Sequence, residues 1–225
     1  MTDRKLTIVG LGGSLASVSK SLAALQVALE GAADAGARTH LLDVRELDLP
    51  MYNPEDDEPV GAPPAMVDLC YAADGLLWSS PMYQGTISGC VKNALDWLHV
   101  LSGREPPYLH DKVIGLISVA GGTQGLQVIN TMEFSVRALR GWAVPYVVPV
   151  ASAERVFDRD GQIQDRAVEF QLRTLGAEVV RVGQRFATDD SIQREAACKD
   201  AAQRVATAAA AADAQGRTFA GESPE

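Results

Sequence analysis

Cysteine is scarce in this chain and poorly placed for a covalent or metal-bound framework. Only Cys70, Cys90 and Cys198 occur in 225 residues, odd in number, far apart and without a Cys-x-x-Cys pair. That excludes a disulfide scaffold and a structural zinc site of ordinary spacing, and it fits a reducing cytoplasm. Histidine is equally sparse. His40, His99 and His110 fall on a strand end, a helix and a loop, with no i,i+4 pair or carboxylate grouping of the metal-binding kind. Basic blocks are missing too. Twenty Lys and Arg stand against 29 Asp and Glu, a formal net charge of −9, so no clustered cations are available to grip a phosphate backbone and nucleic acid is not an expected partner. No apolar run reaches bilayer-spanning length, and the polar Thr2–Lys5 leads straight into Leu6–Val9, too short for a signal-peptide core. A membrane is therefore not an expected partner either. Internal repeats are absent.

What remains is ordinary globular composition, 47% apolar and 22% charged, in a length that suits one well-buried α/β domain. Residues 1–215 are expected to form that domain with a C-terminal helical extension, and 216–225 a polar, disordered tail. Short apolar runs alternate with longer helical patterns, the mark of βαβ units building a parallel sheet with helices on both faces. Strands are expected at Leu6–Val9, His40–Asp43, Gly75–Ser79, Val113–Val119 and Val144–Val150. Helices are expected at Ser19–Ala35, Ala65–Tyr71 and Ser88–Leu101, with a further one over Gly125–Leu139. Met51–Pro64 reads as a surface loop, and Asp158–Gly161 as a turn. Asp165 opens a long helical pattern that runs, with a break, through the alanine-rich stretch Ala206–Ala212.

In an open parallel sheet, ligands settle outside the carboxyl ends of the strands, so the loops after the first, third and fourth strands carry the chemistry. The first, Gly10 to Ser21, has glycines for close backbone approach and sets Ser14, Ser17, Ser19 and Ser21 before a helix start. Such a loop offers a phosphate monoester N–H groups, a helix dipole and hydroxyl donors. Plain helix capping by a serine is the bland alternative. A dinucleotide fingerprint begins at Gly10 and Gly12 but has Leu15 at its last position, and a P-loop would need glycine where Ser19 precedes Lys20. The second loop runs through Pro81, Met82, Tyr83, Gln84 and Gly85 to Gly89; its aromatic, amide and glycines suit a flat heterocycle, although an ordinary βα connection has the same look. The third, Ser118 to Gly125, exposes backbone N–H groups at Ala120, Gly121, Gly122 and Thr123, suited either to a ring's polar edge or simply to a tight turn. Three such loops on one edge favour the ligand.

These residues resemble the NAD(P)H-dependent FMN reductase family. The likeness runs from about Leu6 to Val150 and rests on Gly13-Ser14 with Ser19 and Ser21, on Pro81-Met-Tyr83-Gln-Gly85 leading to Lys92-Asn-Ala-Leu-Asp-Trp-Leu98, and on Gly121-Gly122. It implies a flavodoxin-like three-layer sandwich with a five-stranded parallel sheet in the order 2-1-3-4-5. It further implies FMN phosphate near Ser14, Ser19 and Ser21, and the isoalloxazine ring between Pro81–Gly85 and Ala120–Thr123. Homodimers or homotetramers follow, with the helices at 88–101 and 125–139 as subunit contacts. The implied activity is hydride transfer from NADPH or NADH to flavin, with no catalytic side chain. The reduced product would serve a flavin-dependent monooxygenase or a small oxidised acceptor. Two departures bear on affinity: Ala16 stands where many members have arginine, and Met82 where an acid often follows the proline. The grip on phosphate is then looser, with Lys20 either a compensating point charge or an ordinary solvated helix lysine, and FMN an exchanging substrate. Two other readings stay open, an FMN-containing quinone, azo-dye or metal-ion reductase and a flavodoxin-type carrier without nicotinamide turnover.

Other residues are expected to be structural. Ser79, Ser80 and Ser118 lack a Gly-x-Ser-x-Gly elbow, and Cys90 reads as a small thiol at a helix start. Trp97, Phe134 and Trp142 read as core or interface, and Glu55–Glu58 as solvated.

Overall fold

The computed structural model describes residues 5–55, 62–187 and 191–214. In chain order it contains β1 (Thr7–Gly12), α1 (Lys20–Asp34), β2 (Arg38–Asp43), α2 (Ala62–Ala72), β3 (Gly75–Tyr83), β4 (Thr86–Ile87) and α3 (Gly89–Trp97), which tightens into a 3-10 segment at Leu98–Gly103. There follow β5 (Val113–Val119), α4 (Leu126–Ala138), β6 (Trp142–Ala143), β7 (Val148–Val150), α5 (Ala153–Val156), α6 (Arg166–Phe186) and α7 (Ser191–Ala214). The parallel sheet runs β2-β1-β3-β5-β6, with β7 also pairing β5. This is the expected 2-1-3-4-5 order in a flavodoxin-like α/β fold.

Seven strands stand where five are expected, for two local reasons. The fifth strand is split: Trp142 pairs Val113 while Val148 pairs Ile117, so two residues more lie on the edge side than on β5. Pro145 sits in that excess, and a residue without an N–H is tolerated where the ladder is already interrupted. The second addition is β4, which turns back antiparallel on the end of β3. Helix α2 also begins earlier than expected and takes Pro63 and Pro64 into its first turn, where the missing N–H groups have no intrahelical acceptor to lose. The disordered tail expected at 216–225 lies outside the described residues, as do residues 56–58 of the acidic run.

Alternation along the strands divides the core between the two faces of the sheet. Val9, Leu11, Leu76, Trp78, Ile114 and Leu116 pack toward α2, α3 and α4, where Cys198 and Ala201 of α7 complete the layer. Ile8, Leu77, Val113 and Ile117 face α1 and α6. Those two helices touch backbone to backbone. A Cβ on Gly31 would lie 2.2 Å from the Arg173 carbonyl oxygen, and one on Gly176 would lie 1.9 Å from that of Ala28. Arg173 straps the crossing by reaching Glu30 and Asp34.

Candidate functional site

Register brings the expected loops to one edge. Gly12 of β1 pairs Ser79 of β3, and Pro81 of β3 pairs Val119 of β5, so all three loops leave the same end of the sheet.

The first loop turns at Gly13, whose φ of +107° suits glycine, with the Asp43 carboxylate oxygen only 3.0 Å from where a Cβ would stand. Burial holds that carboxyl above its usual range, although the Arg45 N–H it accepts opposes the shift. Beyond the turn, Ser14 is buried at 3% exposure and its hydroxyl donates to Ser19 Oγ at 2.9 Å. Ser19 Oγ lies 3.1 Å from Ser21 Oγ and caps α1 by accepting from the Leu22 N–H at 3.3 Å. Three of the four serines thus form one hydroxyl cluster at a helix N-terminus, whereas Ser17 is exposed among Leu15–Val18. The backbone N–H groups of Ser17, Val18, Lys20 and Ser21 find no acceptor among the described residues. Free N–H donors beside hydroxyls at the positive end of a 15-residue helix are the donor set a phosphate monoester needs. Lys20 extends its Nζ to Glu154 Oε2 at 2.6 Å.

The second loop is a hairpin rather than a βα connection. Met82 pairs Ile87, Tyr83 pairs Thr86, and the two residues between, Gln84 and Gly85, have φ of +48° and +83°. Positive φ at both central residues is what a type I′ turn requires. Tyr83 at the tip is 52% exposed and Pro81 at the base is buried. The hairpin leans on α4 through Thr86 Oγ1, which donates to Thr131 Oγ1 at 3.3 Å.

At the third loop Ala120 is buried and Gly121, Gly122 and Thr123 are exposed. A Cβ on Gly121 or Gly122 would meet nothing within 4 Å, and neither has positive φ. Nothing among the described residues requires glycine at this pair, and the open space over the backbone is one into which a flat ring such as an isoalloxazine would fit. The loop is backed by the segment after β7, since Ser152 N–H donates to the Gly122 carbonyl and Ala153 N–H to that of Ala120, both at 3.0 Å. Ser152 takes up a left-handed φ of +50° there.

Several positioning residues escape motif reading. Ser79 Oγ donates to the Ser21 carbonyl at 2.8 Å, Ser80 Oγ accepts the Ser88 N–H at 3.0 Å, and Ser118 Oγ donates to the Gly125 carbonyl at 2.8 Å. Each ties a strand end to the helix or loop that follows it in space. The signal for them was a hydroxyl inside an apolar strand, because a buried hydroxyl must find a partner. Asn93 and Trp97 have a similar duty: Asn93 accepts the Tyr52 N–H at 2.8 Å, and both side chains donate to the Pro50 carbonyl at 2.9 Å, pinning the loop after β2. Among the described residues no group of three or more His, Cys, Asp or Glu is placed to hold a metal ion, and no helix is long and apolar enough to cross a membrane.

Among solved structures, the fold is similar to that of FerB, a flavoenzyme NAD(P)H:(acceptor) oxidoreductase from Paracoccus denitrificans, with a TM-score of 0.63 and 20% identity over 81% of this chain and all of that one. It is similar also to a WrbA-like flavodoxin from Agrobacterium tumefaciens, at TM-score 0.57 and 20% identity over 82% of this chain and 100% of that one. Closer in sequence is the NADPH-dependent FMN reductase ArsH of Rhizobium meliloti strain 1021, 30% identical over 72% of this chain and 68% of that protein. The FMN-dependent NADPH-azoreductase of Staphylococcus aureus is 32% identical over 58% of this chain and 66% of its own length. The chain thus spans about two thirds of the length of these curated relatives. The family model described as NADPH-dependent FMN reductase matches residues 6–155, a segment that holds all three loops and the backing turn at Ser152. This chain belongs to the NADPH-dependent FMN reductase family.

Proposed function

We propose that this chain reduces FMN at the expense of NADPH, holding the flavin phosphate at Ser14, Ser19, Lys20 and Ser21 and the ring between Pro81–Gly85 and Ala120–Thr123. The observation that carries the reading is the pairing of a three-hydroxyl cluster at the N-terminus of α1 with the unfilled space over Gly121–Gly122, on one sheet edge. Bound FMN supplies the redox chemistry, and the protein supplies placement and electrostatics. Ser14 and Ser19 hydroxyls and the first-turn N–H groups orient the phosphate. The backbone N–H groups of the third loop face the polar ring edge, and Tyr83, exposed at the hairpin tip, offers a stacking surface for the nicotinamide. A cytoplasmic setting belongs to this proposal, as does delivery of the reduced flavin to a flavin-dependent monooxygenase or small oxidised acceptor. Anaerobic addition of NADPH to the protein with FMN is expected to bleach the flavin absorbance; an unchanged spectrum with both NADPH and NADH would sink the proposal.

Similarity to a protein described as an FMN-dependent NADPH-azoreductase favours a second reading, a reductase that keeps its FMN and passes electrons to a dye or quinone. Yellow colour retained through purification selects that reading. Steady NADPH consumption with free FMN as sole acceptor selects the first, and no consumption with any acceptor selects a flavodoxin-type carrier.

A further inference from the structure

Lys20 is the only cationic residue between Gly10 and Leu29, so loop one has a single countercharge for a phosphate. That countercharge is already engaged. Lys20, the first residue of α1 and only 21% exposed in its side chain, contacts the Glu154 carboxylate at 2.6 Å. Glu154 belongs to α5, whose first residues are fastened to the third loop by the bonds from Ser152 and Ala153 to Gly122 and Ala120. Its side chain is 82% exposed apart from this contact. A carboxylate on the helix that backs the third loop therefore reaches across and occupies the ammonium at the end of the first loop.

We propose that Glu154 is a negative determinant of flavin-phosphate affinity. It competes with the incoming phosphate dianion for Lys20, and so keeps FMN exchangeable. The inference rests on the flavin reading of the site. A dianion arriving beside the hydroxyl cluster either displaces the Glu154 carboxylate from Lys20 or shares the ammonium with it, and like charges in that second arrangement repel. The carboxylate acts only through charge, so its effect falls on ligands that carry the phosphate and fades as salt screens the site.

The test is a fluorescence titration of the wild-type protein, Glu154→Gln, Lys20→Gln and the double variant, each with FMN and with riboflavin, which shares the ring and lacks the phosphate. Glu154→Gln is expected to tighten FMN roughly threefold to fivefold at low ionic strength, the range open to an exposed ion pair, and to leave riboflavin unchanged. The gain shrinks in 0.5 M salt, a concentration at which the Debye length falls to about 4 Å, and it is absent when Lys20 is already Gln. Weaker or unchanged FMN binding by Glu154→Gln overturns the proposal, as does equal tightening of riboflavin. Wild-type protein that leaves FMN fluorescence unchanged removes the flavin reading and this proposal with it, whereas wild-type binding with no gain in the variant removes this proposal alone.

Discussion

On the proposed flavin reading, Gly122 is a residue at which ligand binding and stability can be told apart. Gly122 has neither a positive φ nor a neighbour within 4 Å of its missing Cβ. Gly122→Ala should therefore leave the melting temperature within about 2 °C of wild type, less than a 1 kcal/mol change would produce, while weakening FMN about tenfold or more by filling the space over the loop. Gly13→Ala should do the reverse in part. Its φ of +107° and the Asp43 oxygen at 3.0 Å make any side chain strained, at a cost of about 1–3 kcal/mol visible in a denaturant midpoint. The cysteines divide similarly. Burial pushes the Cys70 thiol up to about 12 and that of Cys198 up to about 11, whereas Cys90 is partly exposed. Ellman's reagent at pH 8 should then titrate Cys90 alone in the folded protein and all three thiols in denaturant. The sign of the pH effect follows from the same shifts. Both buried thiols stay protonated in the fold while the unfolded chain ionises from the ordinary value of 9.0, so their contribution is complete below pH 9 and is lost as pH rises toward 11 and 12. Melting temperatures measured from pH 8 to 11 should fall, and less steeply in Cys198→Ala.

Among the elements, the α1 and α6 crossing is the most constrained. Replacing glycine by alanine inside a helix ordinarily gains up to about 1 kcal/mol, but at Gly176 the added carbon would lie 1.9 Å from the Ala28 carbonyl oxygen. The obstacle is backbone, which cannot rotate away, so the clash outweighs the propensity. Gly176→Ala should destabilise by about 1–3 kcal/mol in chemical unfolding, and an increase in stability would show that the helices separate freely. Helices of this kind were legible from sequence. Ser19, Ser88 and Asp165 each cap the helix expected to follow, and the apolar spacing behind them is long enough to average out noise. The hairpin at Gln84–Gly85 and the two halves of the fifth strand were not, because strands of two or three residues carry no periodic pattern. A Gln-Gly turn also lacks the Asn or Asp that usually announces one.

For the whole molecule, the alternation of strands and helices made a parallel sheet readable, since βαβ connections leave few alternatives, whereas the strand order came with the family resemblance and matches the order observed. The Lys20 to Glu154 contact was not readable, since it joins residues from opposite ends of the matched segment that no local pattern relates. The sequence expectation for Phe134 and Trp142 as core or interface is half corrected: both are exposed in the single chain, Phe134 at 72% and Trp142 at 55%. Phe134 borders a groove of about 370 Å³ between α3 and α4, lined also by Lys92, Leu95, His99, Tyr108 and Leu139. An exposed aromatic beside a hollow of this size is a surface on which the homodimer or homotetramer expected from the family resemblance would place a subunit contact. Phe134→Asp should shift sedimentation toward monomer without lowering the melting temperature of the monomer; an unchanged sedimentation coefficient would move the contact elsewhere.

The interrupted fifth strand bears on how the protein behaves when crowded. A sheet ending in a long regular strand offers its outer row of amides to any stray segment, and so seeds cross-strand stacking between molecules. Here that border consists of two short pieces displaced by two residues, with Pro149 in the second piece unable to donate. No incoming segment can stay in step along this border, and regularising it, as by Pro149→Val combined with deletion of Pro145 and Tyr146, is expected to raise the thioflavin signal of concentrated solutions above that of wild type.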